Sequence, residues 1–361
     1  MKIHRRLMLC AGLALALSVC ARGQATQPPL TTDHDPVASP DGDVPPAQTA
    51  PVPEGTVQHG EGGGFVLRQN SGEVVLNATV IDSAQHLVEN LDKSDFQVYE
   101  DGAPQTILSF RHEDVPVSLG LVIDSSGSMY NKVDAVRAAA LDLIKASNAK
   151  DETFVVNFSD ELFIDQYLTS DQDKLRDAMQ LFHPAGGTAI YDAVIASADY
   201  LTQNAKWSKQ VILLITDGDD RDSASTLETA IRRVQDLDGP VVYCIGLLYG
   251  SDDMDRSSRK HSQHVLQTLA DQTGGIAYFP RTVDEVDEIT QEVARDIRSQ
   301  YTIAYHSTRP YDQPGYRQIH VDAKAKGYGK LSVRTRSGYF PRAQQPVNTG
   351  GAQPMQTHSK P

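Results

Sequence analysis

Side chains that carry oxygen are concentrated in three short segments of the chain. The first runs from Asp124 to Ser128, reads Asp-Ser-Ser-Gly-Ser and directly follows an apolar stretch. The second is Thr188, which follows two glycines, and the third is Asp217, which ends another apolar run. Carboxylates and hydroxyls are the hard oxygen ligands that Mg²⁺ prefers. The three segments therefore predict one divalent-metal site, provided that the fold brings them together.

The charge of these side chains bears on what such a site can do. Asp124 and Asp217 supply only two carboxylates, so the charge of a divalent ion is at most balanced, because serine and threonine oxygens are neutral. An ion held in this way keeps an open position that attracts an anion. We therefore expect the partner to be a protein or peptide that presents an Asp or Glu side chain.

The elements that must position these residues are indicated by hydrophobic patterns. Residues 117–123 are almost continuously apolar, which is typical of a strand covered on both faces. Helical and strand patterns then alternate up to residue 298, which predicts a doubly wound α/β fold with a mostly parallel six-stranded sheet. The tight connection at residues 159–161 indicates one antiparallel edge hairpin strand. Ligands bind beyond the carboxyl ends of strands in such sheets, where the three segments should meet.

The segments that flank this region have a different character. Residues 65–115 and 300–342 contain short alternating strand patterns and are each too small to fold well alone. We predict that they combine into one small β-sandwich, with the α/β domain of residues 116–299 inserted between them.

The two ends of the chain are predicted to lie outside the folded domains. Residues 1–23 have a basic start, a short apolar run and small residues, as in a signal peptide. Residues 24–64 and 343–361 have the composition of a disordered spacer and tail. We expect an exported protein that is periplasmic, secreted or at the cell surface, with envelope association and a lipid anchor at Cys20 as alternatives.

Net charge and cysteine content narrow the range of functions. The formal net charge of −14 argues against nucleic acid as a partner, because phosphate binding needs a basic surface. Only Cys244 remains once the predicted signal peptide is removed, so we expect no internal disulfide.

The three segments resemble a known motif. Asp-x-Ser-x-Ser after a buried strand, Gly-Gly-Thr before a helix and Thr-Asp-Gly after another strand are similar to the metal-ion-dependent adhesion site (MIDAS) of von Willebrand factor A (VWA) and integrin I-type domains. The resemblance implies Mg²⁺ (or Mn²⁺ or Ca²⁺) as the ion and movement of the last helix, residues 283–298. It implies as metal ligands Asp124, Ser126, Ser128, Thr188 and Asp217. The flanking segments resemble exported bacterial VWA proteins, notably those of acidobacteria.

Several polar residues near these segments have more than one interpretation. Asp219, Asp220 and Asp222 fit either a second ion or a solvated acidic loop. Asp192 lies one turn after Thr188 and fits either support of the metal site or a plain surface or capping role. Residues 249–263 look like a polar loop at the metal face, which we expect to select the partner.

The expected function is that of an exported adhesion module, and we predict no enzymatic activity. Two alternatives stay open from the sequence. One is a metal-dependent hydrolase, although the motif segments contain no histidine to act as a base. The other is a structural envelope protein whose metal site only stabilises the fold.

Overall fold

The computed structural model describes residues 73–341, except for 113, 181, 219, 237–238, 250–254, 283 and 311–312. It also describes the backbone of three short strands within residues 30–67. The predicted signal peptide, Cys20, the tail and most of the spacer lie outside the described residues, and these assignments stay predictions.

Strands and helices follow one another in three blocks along the chain. The strands are β1 (Leu30–Thr31), β2 (Val57–His59), β3 (Phe65–Leu67), β4 (Glu73–Ile81), β5 (Phe96–Glu100), β6 (Ala103–Gln105), β7 (Ile107–Arg111), β8 (Val117–Asp124), β9 (Glu152–Phe158), β10 (Leu162–Thr169), β11 (Lys209–Thr216), β12 (Val241–Gly246), β13 (Ala277–Tyr278), β14 (Tyr301–His306), β15 (Arg317–Ala323), β16 (Ser332–Arg334) and β17 (Gly338–Tyr339). The α-helices are α1 (Val133–Ala146), α2 (Gln172–Ala178), α3 (Ile190–Asn204), α4 (Leu227–Asp236), α5 (Arg256–Thr273) and α6 (Asp284–Arg298). Two 3-10 helices span Lys93–Asp95 and Gly127–Lys132.

The central sheet has the strand order β1-β10-β9-β8-β11-β12-β13. All its neighbouring pairs are parallel except β9 and β10, which form the antiparallel hairpin. Every residue of β8 and β12 is buried, as expected for strands with helices on both faces. The predicted six-stranded α/β fold is therefore confirmed, and the two-residue strand β1 adds a seventh position at the edge.

Helices cover the two faces of this sheet in two separate layers. One apolar core joins the sheet to α1, α2 and α6, and contains Leu121, Val136 and Val293. The other joins the sheet to α3, α4 and α5, and contains Val122, Val194 and Leu266. Leu121 and Val122 are consecutive in β8 and enter opposite cores, because successive side chains of a strand point to opposite faces.

Two four-stranded sheets form the predicted β-sandwich. Their strand orders are β16-β4-β14-β7 and β17-β15-β5-β6, so each sheet combines strands from before and after the α/β domain. The inner faces share one apolar core, which includes Leu76, Val98, Ile303 and Val321. The prediction that the α/β domain is inserted in a sandwich is confirmed.

The last turn of α6 is tied to its surroundings by charged contacts. Asp296 accepts hydrogen bonds from Tyr243 at 2.5 Å and from Arg334 of the sandwich at 2.7 Å. Arg298 contacts Asp114 at 3.1 Å and Asp151 at 3.4 Å. The movement of residues 283–298 that the resemblance implies stays a prediction, and any such movement must begin N-terminal to these contacts or break them.

No helix within the described ranges is both long enough and apolar enough to cross a membrane.

Candidate metal centre

Asp124 is the last residue of β8 and is fully buried at the carboxyl end of the sheet. Its Oδ1 accepts a hydrogen bond from the backbone N–H of Ser126 at 2.8 Å, and its Oδ2 accepts one from the Thr216 hydroxyl at 2.6 Å. Burial raises the pKa of Asp124 to about 6, although the hydrogen bonds from Thr216 and Ser126 oppose the rise. A carboxylate in this position favours a cation beside it.

Backbone hydrogen bonds bring the Gly-Gly-Thr segment against the loop that follows β8. The N–H of Ala185 donates to the carbonyl of Ser125 at 2.7 Å, and the N–H of Gly127 donates to the carbonyl of Gly186 at 3.3 Å. Thr188 is 6% exposed and lies two residues before α3, and a Cβ placed on Gly218 would lie 4.0 Å from its Oγ1. Thr188 therefore lies beside the residue that follows Asp217.

Side-chain oxygens from β8 and β11 meet in one hydrogen-bonded network. The hydroxyl oxygens of Ser126 and Ser128 are 3.0 Å apart, and Ser128 donates to Oδ1 of Asp217 at 2.8 Å. Asp217 is buried and directly follows β11, which is the parallel neighbour of β8. The predicted site residues from these two strands thus form one connected group.

The oxygen spacings can be compared with those around a small divalent ion. Ligands at about 2.05 Å from Mg²⁺ and at right angles to each other lie about 2.9 Å apart. The spacings of 3.0 Å between Ser126 and Ser128 and of 2.8 Å between Ser128 and Asp217 match this value. Among the described residues there is no group of three or more His, Cys, Asp or Glu side chains that could hold a metal. The donor set of this site fits a hard ion held by hydroxyls and two carboxylates.

Two carboxylates outside the predicted ligand set hold the Gly-Gly-Thr segment. Asp222 accepts a hydrogen bond from the backbone N–H of Thr188 at 2.8 Å. A Cβ on Gly187 would lie 1.8 Å from Oδ2 of Asp222, and one on Gly186 would lie 2.1 Å from Oδ1 of Asp160. Gly186 also has a φ of +78°, a conformation that favours glycine. The two glycines therefore allow both carboxylates to approach the backbone next to Thr188.

The acidic residues after Asp217 are used to fasten this loop. Asp220 accepts hydrogen bonds from the Tyr191 N–H at 3.2 Å and the Ser223 hydroxyl at 2.5 Å. Asp192 is 2% exposed and accepts the N–H groups of Ala224 and Ser225 at 2.7 and 3.1 Å. Asp192 thus supports the loop after Asp217. Asp220 and Asp222 belong to this acidic loop, and their side chains also accept hydrogen bonds from the backbone of Tyr191 and Thr188.

Sequence reasoning missed three residues of the site, which are Lys132, Thr216 and Asp160, and it did not foresee that Asp222 holds the Thr188 backbone. Thr216 could have been found, because it precedes Asp217 at the end of a buried strand. The interpretation of residues 249–263 as a polar loop was wrong for its second half, since α5 begins at Arg256 and Asp255 caps it by accepting from the N–H groups of Ser257 and Ser258.

We expect Gly187→Ala to weaken metal binding about tenfold, because the new methyl group must displace the Asp222 carboxylate that holds the Thr188 backbone. Loss of a group that orients a ligand typically costs 10–100-fold in metal affinity. Calorimetric titration of the purified protein with Mn²⁺ measures this effect.

Gly127→Ala is the matched control for this substitution. A Cβ on Gly127 would lie 3.8 Å from the nearest neighbouring atom, the Gly186 carbonyl oxygen, which is an ordinary contact. This variant should bind Mn²⁺ like the parent protein. Equal affinity in the two alanine variants would contradict a positioning role for Asp222.

The fold and the site together define a class of protein: an open, doubly wound α/β domain with oxygen ligands at the carboxyl edge of its parallel strands. Residues 119–219 match the model of the von Willebrand factor type A domain. The chain therefore carries a VWA domain, in agreement with the resemblance of its three motifs. No curated protein matches the chain.

Several solved structures are similar to this chain at low identity. An aerotolerance-related membrane protein from Bacteroides fragilis is 20% identical over 50% of this chain and 98% of its own, with a TM-score of 0.41. A von Willebrand factor type A protein from Catenulispora acidiphila is 16% identical over 75% of both chains, with a TM-score of 0.44. Proximal thread matrix protein 1 from the mussel byssus, with a zinc-occupied MIDAS motif, is 17% identical over 55% of this chain and 50% of its own, with a TM-score of 0.43.

Proposed function

We propose that this protein is an exported adhesion module that captures a carboxylate of a protein or peptide partner through a Mg²⁺-type ion. The observation that carries the proposal is the partly buried network in which Ser126, Ser128 and Asp217 bring their oxygens together, with Asp124 joined to it through the Ser126 N–H. Thr188 completes the proposed ligand set from the adjoining loop. The ion supplies an open coordination position, and the protein supplies the oxygens that hold it.

Exposure of the site supports a binding role. Ser128 and Gly127 are exposed although Asp124 and Ser126 are buried, so the network reaches the surface at one end only. Tyr130, on the same 3-10 helix as Ser128, is 74% exposed. Exposed tyrosines are frequent energetic centres of protein interfaces because they combine apolar area with a hydroxyl group. We therefore place the partner surface around Ser128 and Tyr130.

Peptide display against the immobilised full-length protein tests this proposal. With Mg²⁺ present, the selected peptides should contain Asp or Glu, and they should be released by EDTA. The Asp124→Asn protein should select none of them, whereas Asp134→Asn should behave as the parent, because the Asp134 side chain is 99% exposed on α1. Peptides without acidic residues, or peptides retained by Asp124→Asn, would disprove capture of a carboxylate by a metal ion.

A further inference from the structure

Lys132 is a buried cation at the candidate metal centre. It is the last residue of the 3-10 helix Gly127–Lys132, and its side chain is only 6% exposed. Its Nζ lies 2.5 Å from Oδ2 of Asp217 and 5.8 Å from the centre of the Tyr249 ring. A lysine is rarely buried to this extent without an ionic partner, and here the partner is Asp217.

The two oxygens of Asp217 have different partners. Oδ2 contacts the ammonium group of Lys132, whereas Oδ1 accepts from the hydroxyl of Ser128 and belongs to the proposed ligand network. Asp217 therefore connects the lysine to the metal position, and a metal contact through Oδ1 leaves the contact to Lys132 in place.

The lysine changes the charge of the centre. Asp124 and Asp217 together carry two negative charges, and Lys132 cancels one of them. A divalent ion in the site then leaves one net positive charge, whereas without the lysine the centre would be neutral. Charges a few ångströms apart in a buried site interact far more strongly than in water. A centre with residual positive charge attracts a carboxylate more strongly, at the expense of its hold on the metal.

We propose that Lys132 tunes the metal centre, lowering its affinity for the ion and raising the affinity of the occupied centre for a carboxylate. The proposal rests on the proposed function for the identity of the ligand, but its effect on metal affinity can be measured without any partner. In the metal-free protein Lys132 neutralises Asp217, and in the metal-bound protein it keeps the open position attractive to anions.

The first experiment measures Mn²⁺ affinity by calorimetry in the full-length protein. Lys132→Met removes the charge and keeps a long apolar side chain, and we expect it to bind Mn²⁺ at least tenfold more tightly. Lys132→Arg keeps the positive charge beside Asp217 and should stay within about threefold of the parent, because the charge balance of the centre is unchanged. Lys145→Met is the matched control, because Lys145 is a lysine on the adjacent helix whose side chain is 64% exposed. Unchanged or weaker Mn²⁺ binding by folded Lys132→Met would overturn the proposal.

The second experiment measures the binding of acetate, a carboxylate probe, to the Mn²⁺-loaded proteins. Binding is detected by the change in water proton relaxation. Acetate should bind Lys132→Met at least threefold more weakly than the parent and Lys145→Met. Equal acetate binding would overturn the proposed effect on the open position. This readout is separate from partner capture, so the adhesion proposal can fail in peptide display while the role of Lys132 stands, and the reverse also holds.

A second neutral variant covers the case in which Lys132→Met does not fold. Lys132→Gln retains a hydrogen-bond donor toward Asp217 and should show the same tighter Mn²⁺ binding. If both neutral variants fold only with Mn²⁺ present, as judged by circular dichroism, the ion has replaced the lysine charge and the proposal is supported. If neither folds even with saturating Mn²⁺, Lys132 serves the fold and not the metal balance, and the proposal is overturned.

Discussion

Asp124→Asn is expected to abolish Mn²⁺ binding without unfolding the protein. The substitution keeps the shape of the side chain and the acceptor for the Ser126 N–H, a contact of 2.8 Å. It removes one of only two carboxylates in the proposed ligand set, and a neutral amide oxygen at a fully buried position cannot balance the charge of a divalent ion. Calorimetric titration should therefore show no Mn²⁺ binding in the range where the parent saturates.

In the absence of metal, the same substitution should leave the free energy of unfolding unchanged or raise it. Burial raises the pKa of Asp124 to about 6, with a further contribution from Asp217, so the ionised carboxylate is disfavoured in the metal-free fold. Thr216 must also turn its hydroxyl to accept from the new amide. We expect a free energy of unfolding in EDTA that equals or exceeds that of the parent.

Asp134→Asn provides the control for this measurement, since the same chemical change at a side chain that is 99% exposed should leave both metal affinity and stability unchanged. A loss of several kcal/mol in Asp124→Asn would show that the carboxylate is needed by the fold itself. Such a result would contradict the expectation that burial of the ionised carboxylate is unfavourable in the metal-free fold.

The general architecture could be predicted because its signals are local. Residues 117–123 and 211–216 are nearly continuous apolar runs, which are typical of a strand covered on both faces, and both are buried strands in the structure. Topology then determines the site, because parallel neighbouring strands place Asp124 and Asp217 at the same edge of the sheet. Residue type and position after a strand were therefore enough to bring these two carboxylates together.

The supporting contacts could not be predicted because they join distant residues that carry no pattern. Lys132 and Asp217 are 85 residues apart, and Thr188 and Asp222 are 34 apart. A lysine next to a helix is ordinarily a surface residue, so nothing in the sequence marks Lys132 as buried. The start of α5 was missed for another reason: residues 256–261 are all polar, and the buried apolar positions begin only at Val265. Hydrophobic periodicity detects a helix only where one of its faces is buried.

Arg317→Met is expected to lower the free energy of unfolding of the β-sandwich by about 3–5 kcal/mol, the usual cost of removing one partner of a buried ion pair. Arg317 is fully buried and lies 3.4 Å from Glu100, which is 2% exposed. It also donates to the carbonyl oxygens of Arg309 at 3.1 Å and Pro310 at 2.5 Å. Methionine fills much of the volume but leaves these acceptors and a buried carboxylate without the guanidinium group.

Chemical denaturation of the parent and the variant, followed by far-ultraviolet circular dichroism, measures this loss. Arg309→Met is the matched control. The side chains of Arg309 and its partner Asp101 are 35% and 38% exposed, and their contact of 2.9 Å is an exposed ion pair. Such pairs contribute about 0–1 kcal/mol, so this variant should unfold close to the parent.

The double variant Arg317→Met, Glu100→Gln separates the two causes of the loss. If an uncompensated carboxylate dominates, neutralising Glu100 should restore part of the stability, because the hydroxyls of Tyr305 and Tyr339, at 2.7 and 3.1 Å, remain as its hydrogen-bond partners. If the unsatisfied carbonyl oxygens dominate, the double variant should be no more stable than Arg317→Met. A single Arg317→Met variant that unfolds within 1 kcal/mol of the parent would mean that the sandwich does not depend on this ion pair, and that its apolar core alone supports the inserted VWA domain.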